Sequence, residues 1–276
     1  MNFIFLSSIF LSFFVFFVCF VVLLGSSMSS TGKVALVTGS GQRRVGNAVA
    51  RALAERGFRI AVHYHHSVDA ALETVRQLQA QGTDAAAFAA DVADEQNVAR
   101  LFEQVMDRFG RLDALVTAAA VWQPQPLEEV TAADVRRQFD VNTLGTFLCC
   151  RQAGRIMVAQ PEGGAIVTIG DWACERPGID YAAYFISKGS LPTMTRMLAV
   201  ELARRNPRVR VNCILPGPVM VPEDATQPEV EGAVAATLLK RAGSPQHVAH
   251  AAVFLIENDY VTGVCLPVDG GRTIGG

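Results

Sequence analysis

The chain has 276 residues, 50% of them hydrophobic, and its formal net charge is −2 at pH 7. A chain of this length and composition can form one large α/β domain with a sizeable core. The nearly balanced charge argues against a nucleic-acid partner and against binding to an anionic membrane surface. The 6 cysteines form no CxxC pair, so we expect reduced thiols, a cytoplasmic setting and no bound metal.

Residues 1–27 form an apolar N-terminal extension to a domain that spans residues 28–276. The segment from Phe3 to Leu24 carries no charge, and as a helix it would span about 33 Å, close to the thickness of a bilayer core. The nearest basic residues follow it, which would place the domain on the cytoplasmic side of a membrane. Met28 is also a natural start for a soluble protein. We therefore interpret the extension either as a membrane anchor, with contact only through residues 3–24, or as a mis-assigned start.

From Lys33 onward, short apolar strands alternate with amphipathic helices. This alternation predicts a parallel sheet covered on both faces, and right-handed crossovers make it a doubly wound, Rossmann-type α/β fold in a single domain. The predicted strands are Val34–Thr38, Arg59–His65, Ala85–Ala90, Ala114–Ala118, Ala165–Ile169, Arg210–Leu215 and Val264–Val268. The predicted helices are Gly46–Arg56, Val68–Gln81, Glu95–Phe109, Ala132–Ala159, Tyr181–Arg204, Pro228–Lys240 and Pro245–Glu257.

A glycine-rich turn joins the first predicted strand to the first helix. Glycines at such a turn let the backbone approach a pyrophosphate, and the following helix N-terminus favours its negative charge. Two arginines within the turn strengthen the case for an anionic ligand. The spacing fits the GxGxxG pattern poorly, because the last glycine comes late, and a solvated loop is the alternative. The residues assigned here to cofactor binding are Gly39, Gly41, Arg43, Arg44, Val45 and Gly46.

A cluster of histidines and a serine ends the second strand, and no acidic residue occurs before Asp69. Folds that bind NAD usually place an acid there, against the ribose 2′-hydroxyl. Histidine and serine, with Arg43 or Arg44 across the turn, would instead suit a 2′-phosphate, so we expect NADP(H). Neighbouring side chains on a strand point to opposite faces, which argues against a metal site. The cofactor-binding residues predicted here are His63, Tyr64, His65, His66 and Ser67.

The ends of the third and fourth strands also carry candidate residues. Asp91, followed by Val92, could accept a hydrogen bond from an adenine amino group or could cap the next helix. Ala118 and Ala119 are small and leave room for a cofactor. Trp122, on the loop that follows, could stack on a flat substrate ring or could be a packing residue.

Three polar residues and an acid provide candidate catalytic groups. Tyr184 and Lys188 are four residues apart on a predicted helix and share one face. A nearby ammonium group lowers the pKa of a phenol, which would make Tyr184 a proton donor or acceptor near neutral pH. Asp171 follows a strand, where open α/β sheets usually carry catalytic groups. Asn142 lies on an apolar helix face, so its amide needs backbone partners or a chain of water molecules.

Together these motifs resemble the short-chain dehydrogenase/reductase family, from Lys33 to Gly271. The resemblance implies a nicotinamide cofactor, hydride transfer to a carbonyl or imine, and often a homotetramer. It implies that Tyr184 donates the proton, and that Lys188 lowers its pKa and holds the nicotinamide ribose. The motifs are Thr38-Gly39 with Gly46, Asp91-Val92, Asn142 (expected to support a proton-relay water), Tyr184-x-x-x-Lys188, Pro216-Gly217 (expected beside the nicotinamide) and Val268-Asp269-Gly270-Gly271.

The sequence departs from the family pattern in three places. The glycine turn is one residue longer than usual, TAAA replaces the usual NNAG at residues 117–120, and Asp171 replaces the serine expected thirteen residues before Tyr184. An aspartate can carry a proton or bind an N–H group. The pteridine reductase branch resembles this chain in that aspartate, in an arginine placed as Arg44 is, in a HYHxS-like stretch and in an aromatic residue near Trp122.

We therefore expect NADPH-dependent reduction of a pterin or related heterocycle. Tyr184 or Asp171 would supply the proton, and Arg44 and Trp122 would join them in contacting the substrate. Three other functions stay open. They are a 3-oxoacyl-thioester, ketone or sugar reductase of the same family; a non-catalytic NADP-binding protein, with TAAA and Asp171 as signs of decay; and a membrane-anchored lipid or steroid reductase.

Overall fold

The structure is a computed structural model that describes residues 32–220 and 226–275. The strands are β1 (Val34–Thr38), β2 (Arg59–Tyr64), β3 (Ala85–Ala89), β4 (Ala114–Thr117), β5 (Gly164–Ile169), β6 (Val209–Pro216) and β7 (Cys265–Val268). They form one sheet in the order β3-β2-β1-β4-β5-β6-β7, and each neighbouring pair is parallel. The order reverses direction between β1 and β4, which creates the crevice where doubly wound sheets bind ligands.

Helices cover both faces of this sheet, as the alternating pattern predicted. They are α1 (Val45–Glu55), α2 (Val68–Ala80), α3 (Glu95–Phe109), α4 (Ala132–Phe139), α5 (Thr146–Ala159), α6 (Ala182–Gly189), α7 (Leu191–Ala203), α8 (Gln227–Ala235) and α9 (Pro245–Glu257). One half of the core packs the sheet against α3, α5 and α7, and the other half packs it against α1, α2 and α9. The prediction of a single Rossmann-type α/β domain is confirmed for the described residues.

The two interpretations of the N-terminal extension concern residues 1–27, which lie outside the described residues. Within the part of the chain that the structure describes, no helix is both long and apolar enough to cross a bilayer.

The predicted helix Ala132–Ala159 is divided by a π-helical turn, Asp140–Gly145, between α4 and α5. Within this turn the Thr146 hydroxyl donates to the Asn142 carbonyl oxygen at 2.8 Å. A π-turn widens the helix locally and changes where its side chains point. The sequence pattern missed it because the apolar period continues through the turn.

The predicted helix Tyr181–Arg204 is divided at Ser190 into α6 and α7. Pro192 lies in the first turn of α7, where its missing N–H costs no hydrogen bond, whereas inside a continuous helix it would break one. The predicted helix Pro228–Lys240 is also shorter than expected, since α8 ends at Ala235.

A buried arginine fastens the end of α9 to the sheet. Arg210 on β6 is 8% exposed, and its guanidinium donates to the carbonyl oxygens of Leu255, Ile256 and Val261 at 2.7 to 2.9 Å. These carbonyls lie at or beyond the last turn of α9, where no backbone N–H is available to them.

We expect Arg210→Met to lower the free energy of unfolding by about 2 to 4 kcal/mol, because the Leu255 and Ile256 carbonyls lose their hydrogen bonds. The Val261 carbonyl keeps one from Asn212. Urea unfolding followed by circular dichroism measures this change. Arg205→Met is the matched control, since Arg205 is exposed and its ion pair with Glu201 is 3.6 Å long. Equal effects of the two substitutions would contradict this role for Arg210.

Candidate functional site

The candidate catalytic groups meet where β5 ends. The Tyr184 hydroxyl on α6 donates to Asp171 Oδ2 at 2.8 Å, and Asp171 Oδ1 accepts from the Ala173 N–H at 2.8 Å. Lys188, one helical turn after Tyr184, donates from Nζ to the Ile169 carbonyl oxygen at 2.7 Å. Tyr184 is 8% exposed and Lys188 is 3% exposed. The predicted trio of Asp171, Tyr184 and Lys188 is therefore brought together.

The expected lowering of the Tyr184 pKa is wrong for this arrangement. Burial raises the pKa of Tyr184 well above its usual value, and the charge of Asp171 and the hydrogen bond to it raise this pKa further. The Lys188 ammonium donates to a backbone carbonyl instead of the phenol, and burial lowers the pKa of Lys188 itself. Tyr184 is thus a neutral phenol that donates a hydrogen bond to Asp171.

Asp171 is suited to taking part in a proton transfer with Tyr184. Burial raises the pKa of Asp171, and the hydrogen bonds from Ala173 and Tyr184 only partly oppose this effect. A carboxyl group whose pKa is raised takes up a proton more readily than an ordinary aspartate does. The pair can therefore hold one or two protons next to a substrate and exchange them along a single hydrogen bond.

Asn142 is fully buried on the π-turn and links two elements around the site. Its Oδ1 accepts from the Val121 N–H at 2.8 Å, and its Nδ2 donates to the Val121 carbonyl and to Ser187 Oγ, both at 2.9 Å. Ser187 Oγ donates in turn to the Tyr184 carbonyl oxygen at 2.7 Å. Both N–H groups of the amide are occupied, so only Oδ1 could support the predicted relay water, and that role stays a prediction.

Ser187 was missed by sequence reasoning, because a serine next to the Tyr-Lys motif carries no distinctive signal. The structure shows it as the connection between Asn142 and the helix that carries Tyr184. The Thr143 hydroxyl donates to the Ser187 carbonyl oxygen at 2.7 Å as well, so the π-turn holds α6 by two bonds.

The glycine turn packs tightly against the end of β4. Gly39 has a φ of +65°, and a Cβ there would lie 2.8 Å from the Ala119 Cα. A Cβ on Gly46 would lie 2.7 Å from the Gly39 carbonyl oxygen. These contacts require glycine at both positions, and they bring the start of α1 close to the end of β1, where a dinucleotide pyrophosphate binds in folds of this type.

The charged side chains of the turn are free to meet a ligand. Arg43 and Arg44 are exposed at the start of α1, and Val45 is its half-buried first residue. Gly41 is buried, and its carbonyl oxygen accepts from the Thr74 hydroxyl at 2.9 Å. Two exposed guanidinium groups beside a helix N-terminus fit the phosphates of a nicotinamide dinucleotide.

Thr38, from the predicted Thr38-Gly39 motif, and Asn47, which the sequence did not single out, brace this turn. Thr38 Oγ1 accepts from the N–H groups of Ala118 and Ala119, at 3.0 and 3.1 Å. Asn47 Nδ2 donates to the Ser40 carbonyl and to Thr74 Oγ1, both at 2.9 Å. A polar Asn47 on the otherwise apolar face of α1 was the only available signal.

His63 is buried and holds the same turn, whereas it was predicted to contact the cofactor. It is 2% exposed, its Nδ1 accepts from the Gly39 N–H at 3.0 Å, and its Nε2 lies 3.1 Å from the Ala90 carbonyl oxygen. This pairing requires a neutral ring that carries its proton on Nε2. Burial lowers the pKa of His63 to about 4. Its side chain therefore positions the turn instead of reaching a ligand.

The rest of the predicted 2′-phosphate cluster lies nearer the surface. His65 and His66 are exposed and stack with their ring centroids 3.6 Å apart. Tyr64 and Ser67 are half-buried, and Ser67 directly precedes α2. His65, His66 and Ser67 are therefore the members of the cluster that remain available to a phosphate.

The other strand ends are also placed at this edge of the sheet. Asp91 Oδ1 accepts from the Ala93 N–H at 3.0 Å, which leaves its second oxygen for an adenine amino group. Val92 is buried behind the π-turn. Pro216 ends β6, and the Gly217 N–H donates to the Val268 carbonyl at 3.0 Å.

The TAAA departure leaves a small defect beside these residues. The Thr117 hydroxyl is buried without a hydrogen-bond partner among the described residues. It borders a void that is also lined by Thr38, Ala119 and Thr146.

An aromatic pair forms one wall of the site. Trp122 is 50% exposed, and its ring stacks on Tyr181 with centroids 5.5 Å apart and planes 15° apart. The Tyr181 ring lies edge-on to Tyr184 at 6.5 Å. Trp122 thus both packs on the protein and exposes a flat surface close to the proton donor. Tyr181 was missed as a site residue because it lies outside the Tyr184-x-x-x-Lys188 motif, although the predicted helix begins with it.

Comparison with known proteins agrees with this geometry. A family model described as enoyl-(acyl carrier protein) reductase matches residues 40–273. Versicolorin reductase 1 of Aspergillus parasiticus is 37% identical over 257 residues, covering 87% of this chain and 96% of its own. The human 3-oxoacyl-[acyl-carrier-protein] reductase is 38% identical over 240 residues, covering 87% and 97%.

A solved structure shares the fold closely. The crystal structure of a blue fluorescent protein from a metagenomic library, in complex with NADPH, superposes with a TM-score of 0.81 at 35% identity. The match covers 89% of this chain and 99% of that one.

The role of His63 predicts a specific dependence of stability on pH. The unfolded histidine has the ordinary pKa of 6.5 and the folded one a pKa of about 4. Between these values the unfolded state binds more protons, so the free energy of unfolding falls as the pH is lowered. Through His63, lowering the pH from about 7.5 to about 5 should therefore lower the free energy of unfolding by about 2 kcal/mol.

Urea unfolding of wild type and His63→Phe at both pH values isolates this effect, because phenylalanine cannot titrate. We expect the loss to be smaller in His63→Phe by that amount, and His250→Phe, at an exposed position, to behave as wild type. An identical loss in wild type and His63→Phe would contradict the assignment.

Proposed function

The chain belongs to the short-chain dehydrogenase/reductase family and is an NAD(P)-dependent oxidoreductase, and we propose that it uses NADPH to reduce a flat heterocycle of the pterin type. The observation that carries this proposal is the hydrogen bond from Tyr184 to Asp171 at the position where the family pattern has serine. A serine offers a neutral hydroxyl, whereas a carboxyl group can accept from a ring N–H or protonate a ring nitrogen.

The arrangement supports proton delivery to a nitrogen or oxygen atom of the substrate. A bound nicotinamide supplies the hydride. Tyr184 donates its phenolic proton, and Asp171, whose pKa is raised by burial, either returns a proton to Tyr184 or contacts the ring directly. The charge of Lys188 opposes the rise in the pKa of Asp171 and so limits the cost of negative charge on that carboxyl group. The exposed face of Trp122 offers a stacking surface for the ring.

The preference for NADPH is supported by the end of β2. His65, His66 and Ser67 occupy the region where an acidic residue would select the ribose 2′-hydroxyl, and Arg43 and Arg44 lie exposed on the facing turn. The similar structure that contains NADPH is consistent with this choice.

A second candidate function is the reduction of a ketone or 3-oxoacyl thioester. It is favoured by the activities named for two relatives, versicolorin reductase 1 and 3-oxoacyl-[acyl-carrier-protein] reductase. In that case Asp171 would serve only to hold the Tyr184 hydroxyl, and turnover would not need a proton carried by Asp171.

Assembly and location also belong to the proposal. We propose a homotetramer, as the family resemblance implies, in the cytoplasm, as the scattered cysteines indicate. Exposed apolar side chains along α4 to α6, namely Phe139, Leu144 and Ile186, support self-association of this kind.

Asp171→Ser separates the two candidate functions. With full-length protein and NADPH, we expect dihydrobiopterin turnover to fall by about 100-fold, because a proton-carrying group is lost. Reduction of a 3-oxoacyl thioester, if present, should persist, and Tyr184→Phe should abolish both. NADPH absorbance measures each rate, and Asp107→Asn on the exposed face of α3 is the control. Pterin turnover that survives Asp171→Ser would sink the pterin assignment.

His65→Asp tests the cofactor preference by placing an acid at the end of β2. We expect kcat/KM for NADPH to fall by about tenfold or more while that for NADH rises, because the carboxylate repels a 2′-phosphate and can accept from a 2′-hydroxyl. His250→Asp, on α9, controls for the added charge. An unchanged ratio between the two cofactors would argue that this cluster does not meet the ribose.

A further inference from the structure

We propose that the substrate carries an anionic group, a carboxylate or a phosphate, that binds to Arg272 and Arg176 beside Asp171. This inference rests on the proposed function, since it concerns the same substrate. Arg272 belongs to the segment of residues 269–275 that follows β7, here called the C-terminal strap.

The strap is folded back on itself by one carboxylate. Asp269 Oδ1 accepts from the Gly271 N–H at 2.9 Å, and its Oδ2 accepts from the N–H and hydroxyl of Thr273 at 2.7 and 2.6 Å. Asp269 is 8% exposed. Arg272 lies inside this loop, so its position is set by the fold and not by a freely moving chain end.

Arg272 lies between two elements that flank the candidate site. Its guanidinium carbon is 4.4 Å from the ring centroid of Trp172, the residue after Asp171. Its Nη1 donates to the Ala233 carbonyl oxygen on α8 at 2.9 Å. Stacking on the indole fixes the plane of the guanidinium, and the single hydrogen bond leaves its other N–H groups without an acceptor among the described residues.

Arg176 adds a second positive charge to the strap. Its Nη1 donates to the carbonyl oxygens of Arg272 and Gly275, at 3.4 and 3.3 Å. Burial lowers the pKa of Arg272, and the charge of Arg176 lowers it further. Neither arginine forms an ion pair with any residue in the ranges 32–220 and 226–275.

Two cations held close together, one of them stacked on an aromatic ring, form a receptor for an oxyanion. A guanidinium presents parallel N–H groups that match a carboxylate or a phosphate in two bonds. An anion there would offset the mutual repulsion of Arg272 and Arg176. Because Trp172 follows Asp171 directly, the anion would lie on the same molecule as a ring that Asp171 contacts.

The test compares charged and neutral substrates that share one reacting group. Dihydrofolate carries carboxylates and dihydrobiopterin carries none, and acetoacetyl coenzyme A carries phosphates that acetoacetyl N-acetylcysteamine lacks. For Arg272→Met in the full-length protein, we expect the ratio of KM for the charged to the neutral member of a pair to rise by about tenfold. The pair that responds identifies the carboxylate or the phosphate.

Several readouts separate a binding role from a structural one. In Arg272→Lys the ratio of KM values should lie between those of wild type and Arg272→Met. Arg176→Met should raise this ratio, and Arg100→Met, at an exposed position on α3, should leave it as in wild type. Calorimetric titration with folate and biopterin in the presence of NADP⁺ gives the same comparison without turnover.

An equal rise in KM for the charged and the neutral substrates of a pair would show that Arg272 only anchors the strap, and would overturn the proposal. Absence of pterin turnover in wild type would instead refute the proposed pterin function. The coenzyme A pair and the titrations would still decide on the anion site.

Discussion

One hydrogen bond, from the hydroxyl of the buried Tyr184 to the half-buried Asp171, constrains the whole site. Burial disfavours the charged form of each partner, and the ammonium of Lys188 supplies the compensating charge nearby. Since a buried unpaired charge is costly, the three groups can function only as a set. The end of β5, which carries Asp171 and Ile169, and the start of α6 must therefore be held in fixed relation, and the surrounding bonds serve that requirement.

The supports come from residues far apart in the chain. Asn142 on the π-turn reaches Ser187 on α6, and Thr38 at the end of β1 holds the N–H groups of Ala118 and Ala119. His63 joins the Gly39 turn to the end of β3. Buried polar groups joined in this way position one another rigidly as long as every partner is present. The unpaired Thr117 hydroxyl marks the one place where this network has an open end among the described residues.

The sequence predicted what depends on local periodicity and missed what depends on distant partners. All seven strands were predicted within a few residues, since continuous apolar runs identify buried parallel strands. The Tyr184–Lys188 pair followed from helical spacing. The direction of the Tyr184 pKa did not, because spacing says nothing about burial or about the carbonyl that takes the Lys188 ammonium. The role of His63 in bracing the turn was not foreseen for the same reason, since its partners, Gly39 and Ala90, lie 24 and 27 residues away.

The short 3-10 turn Trp172–Cys174 connects the chemistry of the site to substrate choice. Asp171 caps this turn by accepting from the Ala173 N–H with one oxygen, and it accepts a hydrogen bond from the Tyr184 hydroxyl with the other. Trp172 in the same turn supports the guanidinium of Arg272. A substrate that engages both ends would be oriented by charge at Arg272 and by hydrogen bonding at Asp171. Asp171 at the position of the family's serine therefore lies on the same turn that supports the strap, so in our proposal one local structure influences both reactivity and specificity.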